Sequence, residues 1–517
     1  MNDSPATVES VSSRYAVTLG AQVLRLLVSL VTAAIVPRTL GPSIYGNYSF
    51  LLSTSAAVRG VFDNGAQQAF FTFSSQERSS GPLTKLYALV LGGQFASVLA
   101  LIVLLALTGK IDWIWHEQRL DQILLVTVLD WALFLALSLQ QLGDTKAHTA
   151  YGQLLGAAVA LTVLAGLLVM RFTGTLDFYT FVWLNLAGAL VTCSALSYRF
   201  LVRNRLLFWS GAIEARRYAQ RWWRFASPLL LPQYYLPVVA WLGLYLIQKW
   251  YGSAQQGYYA LALQWSAFAM LFTTSGVWIF WREVAHHAVQ DLRHTAVVYG
   301  KFSSLFFFLS LVLSCGLSAG SGLLVQVVAG ERFRPAVAVL AVMAFYPISQ
   351  TINQLTAATM KATERTRSYA RWTIALSLPD LLLTYLLLAP TTAAVPGLHL
   401  GAMGMAIRTA LFGLVTAEVY DWLNCRYLRI SYTRVLLRKL IAAAAVGALA
   451  VLLLESGGAW LERRGLGDVA ALVLASVAYA TAVALLVLVY PSVAGISREQ
   501  LLPLMRALGP SQRRGAA

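Results

Sequence analysis

Residues 14–36 read RYAVTLGAQVLRLLVSLVTAAIV, and this segment decides the class of the protein. It exceeds the roughly 20 apolar residues that an α-helix needs to cross the hydrocarbon core of a bilayer. The 13 residues before it are polar, so no cleavable signal peptide is expected and the run should remain as the first span. A single arginine, Arg25, stands near its middle.

Comparable runs recur along the whole chain of 517 residues, which is 58% hydrophobic and only 12% charged. A soluble protein carries about a quarter charged residues. The pattern predicts an all-α polytopic membrane protein with no separate soluble domain. We place fourteen spans near residues 14–36, 45–70, 84–108, 120–142, 148–170, 177–198, 225–248, 256–281, 297–324, 335–359, 372–390, 398–424, 440–454 and 469–490.

The net charge of +17 follows the predicted topology. With the N-terminus inside, the cytoplasmic side holds 26 of the 39 Lys and Arg, counting Arg14 and Lys85 at the inner ends of their spans. The opposite side holds 9, and four others fall inside spans. Such a bias sets the orientation of a membrane protein, and here it predicts that both termini are cytoplasmic. No nucleic acid is needed to explain the basic character.

A basic connector, residues 199–224, separates the first six spans from the next six and carries seven arginines. Arginine and tryptophan together favour a helix lying at the surface of an anionic membrane. A shift of 211 residues places RTLGPSIYGNYSF (38–50) on KWYGSAQQGYYAL (249–261), with glycine at 41, 46 and 65 matching glycine at 252, 257 and 276.

The shift indicates two lobes of six spans, which share one orientation and are related by an axis along the membrane normal. The predicted domains are an N-terminal lobe with its connector (1–224), a C-terminal lobe (225–430), and spans 13 and 14 with the tail (431–517). These last two spans are rich in Ala, Val and Leu. They fit a lipid-facing appendage or a groove for an acyl tail.

Residues 12–73 resemble the start of the polysaccharide transporters, the Wzx-like flippases of lipid-linked oligosaccharides. This family belongs to a superfamily that also holds multidrug and toxic compound extruders and lipid II flippases. The resemblance rests on short motifs: LG-x3-YG-x-Y (Leu40, Gly41, Tyr45, Gly46, Tyr48), Asp63-x-Gly65, Ser227-Pro228-Leu229, Gly257-Tyr258-Tyr259-Ala260-Leu261 and Gly401-Ala402-Met403-Gly404. Many relatives carry an acid in span 7, where this chain reads AWLGLYLIQKW, so no coupling role transfers to that span.

The resemblance implies a flippase in the bacterial inner membrane. It would move an undecaprenyl-diphosphate-linked oligosaccharide (an O-antigen, capsule or exopolysaccharide unit) outward by alternating access. The implied partners are membrane lipids, H⁺ or Na⁺ as coupling ion, and the polymerase and glycosyltransferases of a polysaccharide or lipopolysaccharide pathway. No cofactor, metal or enzymatic activity is expected.

Charges within the predicted spans of the first lobe are Arg25, Arg59, Asp63 and Asp130. A charge at mid-bilayer costs roughly 2.5–3.5 kcal/mol on insertion scales, so it usually faces a cavity or a partner. In one interpretation Arg25 and Arg59 attract the diphosphate, because guanidinium groups suit phosphate oxygens, while Asp63 orients Arg59. In the other, Arg59 pairs with Asp63 and Arg25 with Asp130 as structural ion pairs; Asp130 could instead take up a proton.

In the second lobe, Arg408 in span 12 and Asp380 in span 11 are predicted at similar depth, and Pro379 predicts a kink. They brace the lobe as an ion pair or lie on the sugar path. Uncharged polar groups that could line a hydrated sugar cavity, or bond between helices, are Gln22, Asn64, Gln67, Gln68, Gln233, Tyr234, Tyr235 and Gln264.

Three other functions are alternatives to this one. An enzyme of the same pathways needs catalytic groups at the outer face, and the predicted outer loops hold neither paired acids nor a metal-ligand cluster. A drug or cation exporter should favour acids over the three central arginines. A lipid II flippase fits the fourteen spans, and no motif separates it from an oligosaccharide flippase.

Overall fold

The computed structural model describes residues 11–76, 81–145, 149–203, 215–227, 230–288 and 291–495, with only the backbone given for some residues inside helices. Within these ranges every regular element is helical, which confirms the predicted all-α class. The cysteines Cys193, Cys315 and Cys425 are buried and free. The chain divides into two compact units, Met1–Gly257 and Tyr258–Ala517.

The first unit is a bundle around α1, which packs against α3, α4, α5 and α6. Helix α2 packs on α3, α4 and the short amphipathic α7. Its helices are α1 (Val11–Asp63), α2 (Ala66–Gln76), α3 (Gly81–Leu107), α4 (Leu120–Thr145), α5 (Thr149–Thr173), α6 (Phe178–Leu196, continued by a π-turn over Ser197–Arg203), α7 (Ala215–Ala226) and the start of α8 (Leu230–Ala288).

Two glycines interrupt the longest helices at matching places. Gly41 breaks α1 with φ 76° and ψ 171°, and Gly252 breaks α8 with φ 76° and ψ −176°. This region of backbone space is open essentially only to glycine. The 211-residue shift that pairs these glycines in the sequence therefore also pairs them in backbone conformation.

The same shift relates two close helix contacts. A Cβ added to Gly46 would lie 1.8 Å from the carbonyl oxygen of Ser253, and one added to Gly257 would lie 2.1 Å from the carbonyl oxygen of Pro42. The contact is reciprocal, since Gly46 matches Gly257 and Pro42 matches Ser253. Helix α1 and helix α8 cross here with their backbones in contact, and a side chain at either glycine would prevent this close approach.

A third break ends α1 at Asp63. Asn64 and Gly65 both adopt left-handed conformations (φ 49° and 73°), and α2 then resumes at Ala66. Asn and Gly are the residues that enter this conformation most readily. The predicted second span is thus two helices. The counterpart of Gly65 at Gly276 lies within the continuous α8, so the repeat is not kept at this point.

The second unit surrounds α9 and α12. Helix α12 packs on α15 and α9, and α9 also packs on α16. Its helices after α8 are α9 (Leu292–Ala319), α10 (Ser321–Val328), α11 (Ala336–Met343), α12 (Tyr346–Ala362), α13 (Thr366–Leu388), α14 (Gly401–Ile407), α15 (Gly413–Tyr427), α16 (Tyr432–Ala450), α17 (Gly457–Arg463) and α18 (Asp468–Val489). Short π-helical turns join α14 to α15 and α16 to α17.

Eleven helical stretches in the described ranges are long and apolar enough to cross a membrane, and the chain is a multi-pass membrane protein. The stretch Thr18–Asp63 counts once although Gly41 divides it, and α8 is not among the eleven. The predicted number of fourteen is therefore not confirmed. The orientation of the termini and the three-part division at 224 and 430 remain predictions.

Candidate functional site

The centre of the first unit holds a forked ion pair between α1 and α4. Arg59 Nε donates to Asp130 Oδ2 at 2.7 Å, and its Nη2 donates to Oδ1 at 3.2 Å. The side chains are 18% and 6% exposed. The Arg59 guanidinium also lies 4.0 Å from the ring centroid of Phe134, one turn along α4. Two parallel hydrogen bonds and an aromatic face hold this cation firmly.

This geometry corrects the predicted pairs. In the ion-pair interpretation, Arg59 pairs with Asp63, four residues along the same helix, and Arg25 pairs with Asp130. Instead Arg59 reaches across to Asp130, where a fork-to-carboxylate geometry is available. An ion pair within one helix stabilises it by only a few tenths of a kcal/mol. The forked pair between two helices is the stronger interaction.

Asp63 forms hydrogen bonds that stabilise the backbone at the α1–α2 break. Its Oδ1 accepts the N–H of Gln67 at 3.3 Å in the first turn of α2. The amide nitrogen of Gln94 in α3 donates to the carbonyl oxygens of Phe62 and Asp63 at 3.0 and 3.4 Å. Groups that the break at Asn64 leaves without helical partners are satisfied in this way.

Arg25 has a different environment from Arg59. Its Nη1 donates to Oε1 of Gln153 in α5 at 3.2 Å, and the guanidinium lies over Gly156, whose added Cβ would be 3.3 Å from Nη1. The amide nitrogen of Gln140 lies 3.6 Å from that same Cβ position. Among the described residues no carboxylate forms an ion pair with Arg25, so its neighbours leave its charge uncompensated.

Arg25 and Arg59 lie at similar distances along α1 from the break at Gly41. At 1.5 Å per residue, Arg25 is roughly 24 Å before the break at Gly41 and Arg59 roughly 27 Å after it. The hydrocarbon core is about 30 Å thick, so each of the two distances fits within a single crossing.

The predicted polar groups of the first unit are only partly brought together. Tyr234 donates to the side-chain oxygen of Asn64 at the α1–α2 break. Gln67 donates to Gln141 in α4 at 3.3 Å. The hydroxyl of Tyr235 is buried with no partner among the described residues.

The remaining predicted polar residues do not share one cluster in the described structure. Gln22 and Gln68 are exposed, and Gln264 is half-buried on the part of α8 in the second unit. The side chain of Gln233 lies outside the described part of the chain.

The second unit contains the predicted pair of Arg408 and Asp380. Arg408 Nε donates to Asp380 Oδ1 at 2.7 Å, and Nη2 donates to the other carboxylate oxygen. The two side chains are 16% and 13% exposed. Helix α13 remains helical through Pro379. The ion pair that links α13 to the chain after α14 is therefore present, and a place on a sugar path stays a prediction.

A second charged cluster in this unit was not predicted. Lys439 Nζ in α16 donates to Glu418 Oε1 and to Asp421 Oδ2, both at 2.7 Å. Tyr432 donates to the other oxygen of Glu418 at 2.9 Å, and Tyr299 in α9 donates to the other oxygen of Asp421. Lys439 is 7% exposed and Asp421 is fully buried.

The cluster was missed because a helix boundary was wrong. Span 13 was expected to begin at residue 440, which placed Lys439 in a cytoplasmic loop. Helix α16 begins at Tyr432, so Lys439 lies two turns inside it. The available signal was the spacing of Glu418 and Asp421, since residues three apart share one face of a helix.

No protein-family model matches the sequence, and no curated protein matches it significantly. Among solved structures, the lipid II flippase MurJ in an inward closed conformation is similar with a TM-score of 0.64 and 13% identity, covering 92% of this chain and 98% of the flippase. The chain has the fold of this protein.

An inward-facing multidrug resistance MATE family transporter of the MOP superfamily is similar with a TM-score of 0.57 and 13% identity, covering 80% of this chain and 97% of the transporter. An outward-facing MATE structure gives 0.50 at 13% identity, covering 81% of this chain and 94% of that one. At this identity the likeness concerns the fold. The Wzx-like assignment remains a prediction.

Proposed function

We propose that the protein is a flippase that moves a lipid-linked, diphosphate-bearing saccharide across the bacterial inner membrane. The observation that carries the proposal is the state of Arg25, a cation within a membrane-spanning helix whose described partner is the neutral amide of Gln153. Arg25 is only half-buried in the protein, but a charge within a membrane-spanning helix is costly without a counter-ion. An anionic ligand supplies that counter-ion, and a diphosphate matches the guanidinium fork.

The other two central arginines support the proposal differently. Arg59 and Arg408 each donate two hydrogen bonds to one aspartate, Asp130 and Asp380 respectively. Their charges are already compensated. We therefore assign these pairs to holding helices together, and we assign the attraction of the diphosphate to Arg25 alone.

The comparisons favour a lipid-linked substrate over a drug. The alignment with the flippase leaves 8% of this chain uncovered. Residues 431–517 make up a larger share of the chain than that, so the alignment includes part of the last spans. The MATE similarities leave about a fifth uncovered. We infer that α16–α18 belong to the lipid-handling version of the fold. A lipid II flippase remains the second candidate, because the similar protein is named as one.

The central experiment measures transport in cells that lack their own oligosaccharide flippase. Surface polysaccharide should be restored by the wild-type chain and lost with Arg25→Gln, while Arg25→Lys, which keeps the charge and loses the fork, should restore it partly. Arg171→Gln, an exposed arginine at the end of α5, is the matched control. Unchanged polysaccharide with Arg25→Gln at equal protein level would refute the role of Arg25.

Two further strains separate the candidate substrates. Growth rescue of cells depleted of their lipid II flippase would support the second candidate. Increased resistance to toxic organic cations would support an exporter and contradict both lipid substrates.

A further inference from the structure

A groove in the first unit lies outside the charged site. It is an open cleft lined mainly by α2, α3 and α7, with a volume of about 380 Å³. Its walls are mainly carbon: Phe70 and Phe73 of α2, Leu86 and Val90 of α3, and Trp222 of α7. A cavity with such walls suits a hydrocarbon chain and not a sugar.

The groove has the length of a lipid tail. Residues from Leu83 to Ser97 of α3 line it, which corresponds to roughly 21 Å along the helix. One leaflet is about half of the 30 Å hydrocarbon core. The chain of one lipid and the start of its headgroup therefore fit within the groove.

The connector helix α7 gives the groove a charged side. The helix reads ARRYAQRWWRFA, with four arginines and no acid. Tyr218 and Trp222, four residues apart, line the groove. Arg217 and Arg221 precede them by one residue each, and the guanidinium of Arg221 lies 4.0 Å from the ring centroid of the groove residue Phe73.

We propose that this groove binds one acyl chain of an anionic glycerophospholipid, whose phosphate is held by Arg217 and Arg221. Guanidinium groups near a membrane surface attract anionic headgroups. A zwitterionic lipid offers the same chain with a compensated headgroup, so the arginines should distinguish the two. This inference does not depend on the transported substrate.

Two pairs of variants test the groove in the purified full-length protein. Gly93 of α3 lines the groove and has open space around its Cβ position, so Gly93→Leu should fill the groove without a clash. Gly92 also has open space but does not line this groove, so Gly92→Leu is the control. The charge pair is Arg217→Gln with Arg221→Gln. Its control removes two exposed arginines elsewhere, Arg463 and Arg464.

Binding is measured by native mass spectrometry with phosphatidylglycerol and phosphatidylcholine of identical acyl chains. The wild-type protein should prefer phosphatidylglycerol. Loss of both arginines should weaken that binding by about 20-fold or more, at roughly fivefold per arginine, and leave phosphatidylcholine unchanged. Gly93→Leu should weaken both lipids. Equal binding of the two lipids by the wild type, no binding, or test variants that behave like their controls would overturn the proposal.

Discussion

Lys439→Met should destabilise the second unit more than the removal of a charged side chain that forms no ion pair. Lys439 Nζ lies 2.7 Å from Asp421 Oδ2 and 2.7 Å from Glu418 Oε1. The carboxylate of Asp421 is fully buried. Without the lysine, its side-chain partners among the described residues are the hydroxyl of Tyr299 and a weak contact from Cys425. Breaking one side of a buried pair typically costs about 3–5 kcal/mol.

The same geometry predicts a partial rescue. In Lys439→Met with Asp421→Asn, no charge remains at the buried position, and Glu418 is 26% exposed and still accepts from Tyr432. The double variant should therefore lose less stability than Lys439→Met alone. The coupling between the two substitutions should fall in the range of about 0.5–3 kcal/mol seen for residues in contact.

The assay is equilibrium unfolding of the purified protein in mixed micelles, followed by tryptophan fluorescence, which gives the free energy of unfolding. Lys301→Met removes an exposed lysine from α9 and serves as control. A surface substitution stays within about 0.5 kcal/mol of the wild type. If Lys439→Met does the same, the cluster does not stabilise the packing of α15, α16 and α9, and the reasoning is refuted.

Three further predictions concern packing, pairing and capping. Gly46→Ala should lower the free energy of unfolding by about 3 kcal/mol or more, because the added Cβ would lie 1.8 Å from a backbone carbonyl oxygen. Gly20→Ala, where the added Cβ has open space, should not lower it. Size-exclusion profiles that show both variants equally folded would contradict the close crossing of α1 and α8. Arg408→Met should destabilise by about 3 kcal/mol by leaving Asp380 unpaired, and adding Asp380→Leu should recover most of it in the same unfolding assay; equal losses would contradict the pair. Asp177→Ala should remove the capping box at the start of α6 and cost about 1 kcal/mol. The backbone N–H of Thr180 lowers the pKa of Asp177 below its ordinary value, so this stability is present at neutral pH and is lost as the pH falls through that lowered pKa; a difference between variant and wild type that persists in strong acid would contradict the cap.

Hydropathy and glycine spacing predicted much of the fold. Long apolar runs predicted helices because a bilayer requires every backbone group to bond within its own segment. The 211-residue shift pairs Gly41 with Gly252 in the sequence, and the structure gives the two glycines the same backbone conformation. These features are local, since they depend on which residues the chain carries and at what spacing.

Side-chain partners were harder to predict, because they depend on how helices rotate and cross. The sequence identified Arg59, Asp63 and Asp130 as one polar group, but its ion-pair interpretation joined Arg59 to Asp63, and the structure joins it to Asp130. Arg408 and Asp380 were joined correctly. Lys439 was lost through a boundary error of two turns, and such boundaries are blurred where an apolar span begins with several basic residues.

The pairing found here changes how loss of transport on mutation should be interpreted. Replacing Arg59 alone leaves Asp130, 6% exposed, without its partner, so a loss of transport would report a weakened helix contact as readily as lost substrate binding. Arg25 contacts a neutral amide, and Arg25→Gln strands no described carboxylate. If Arg59→Met with Asp130→Leu retains transport while Arg25→Gln abolishes it, the diphosphate is recognised at α1 and α5; if the double variant fails while folded, the fork at Arg59 takes part directly and the assignment to Arg25 alone is wrong.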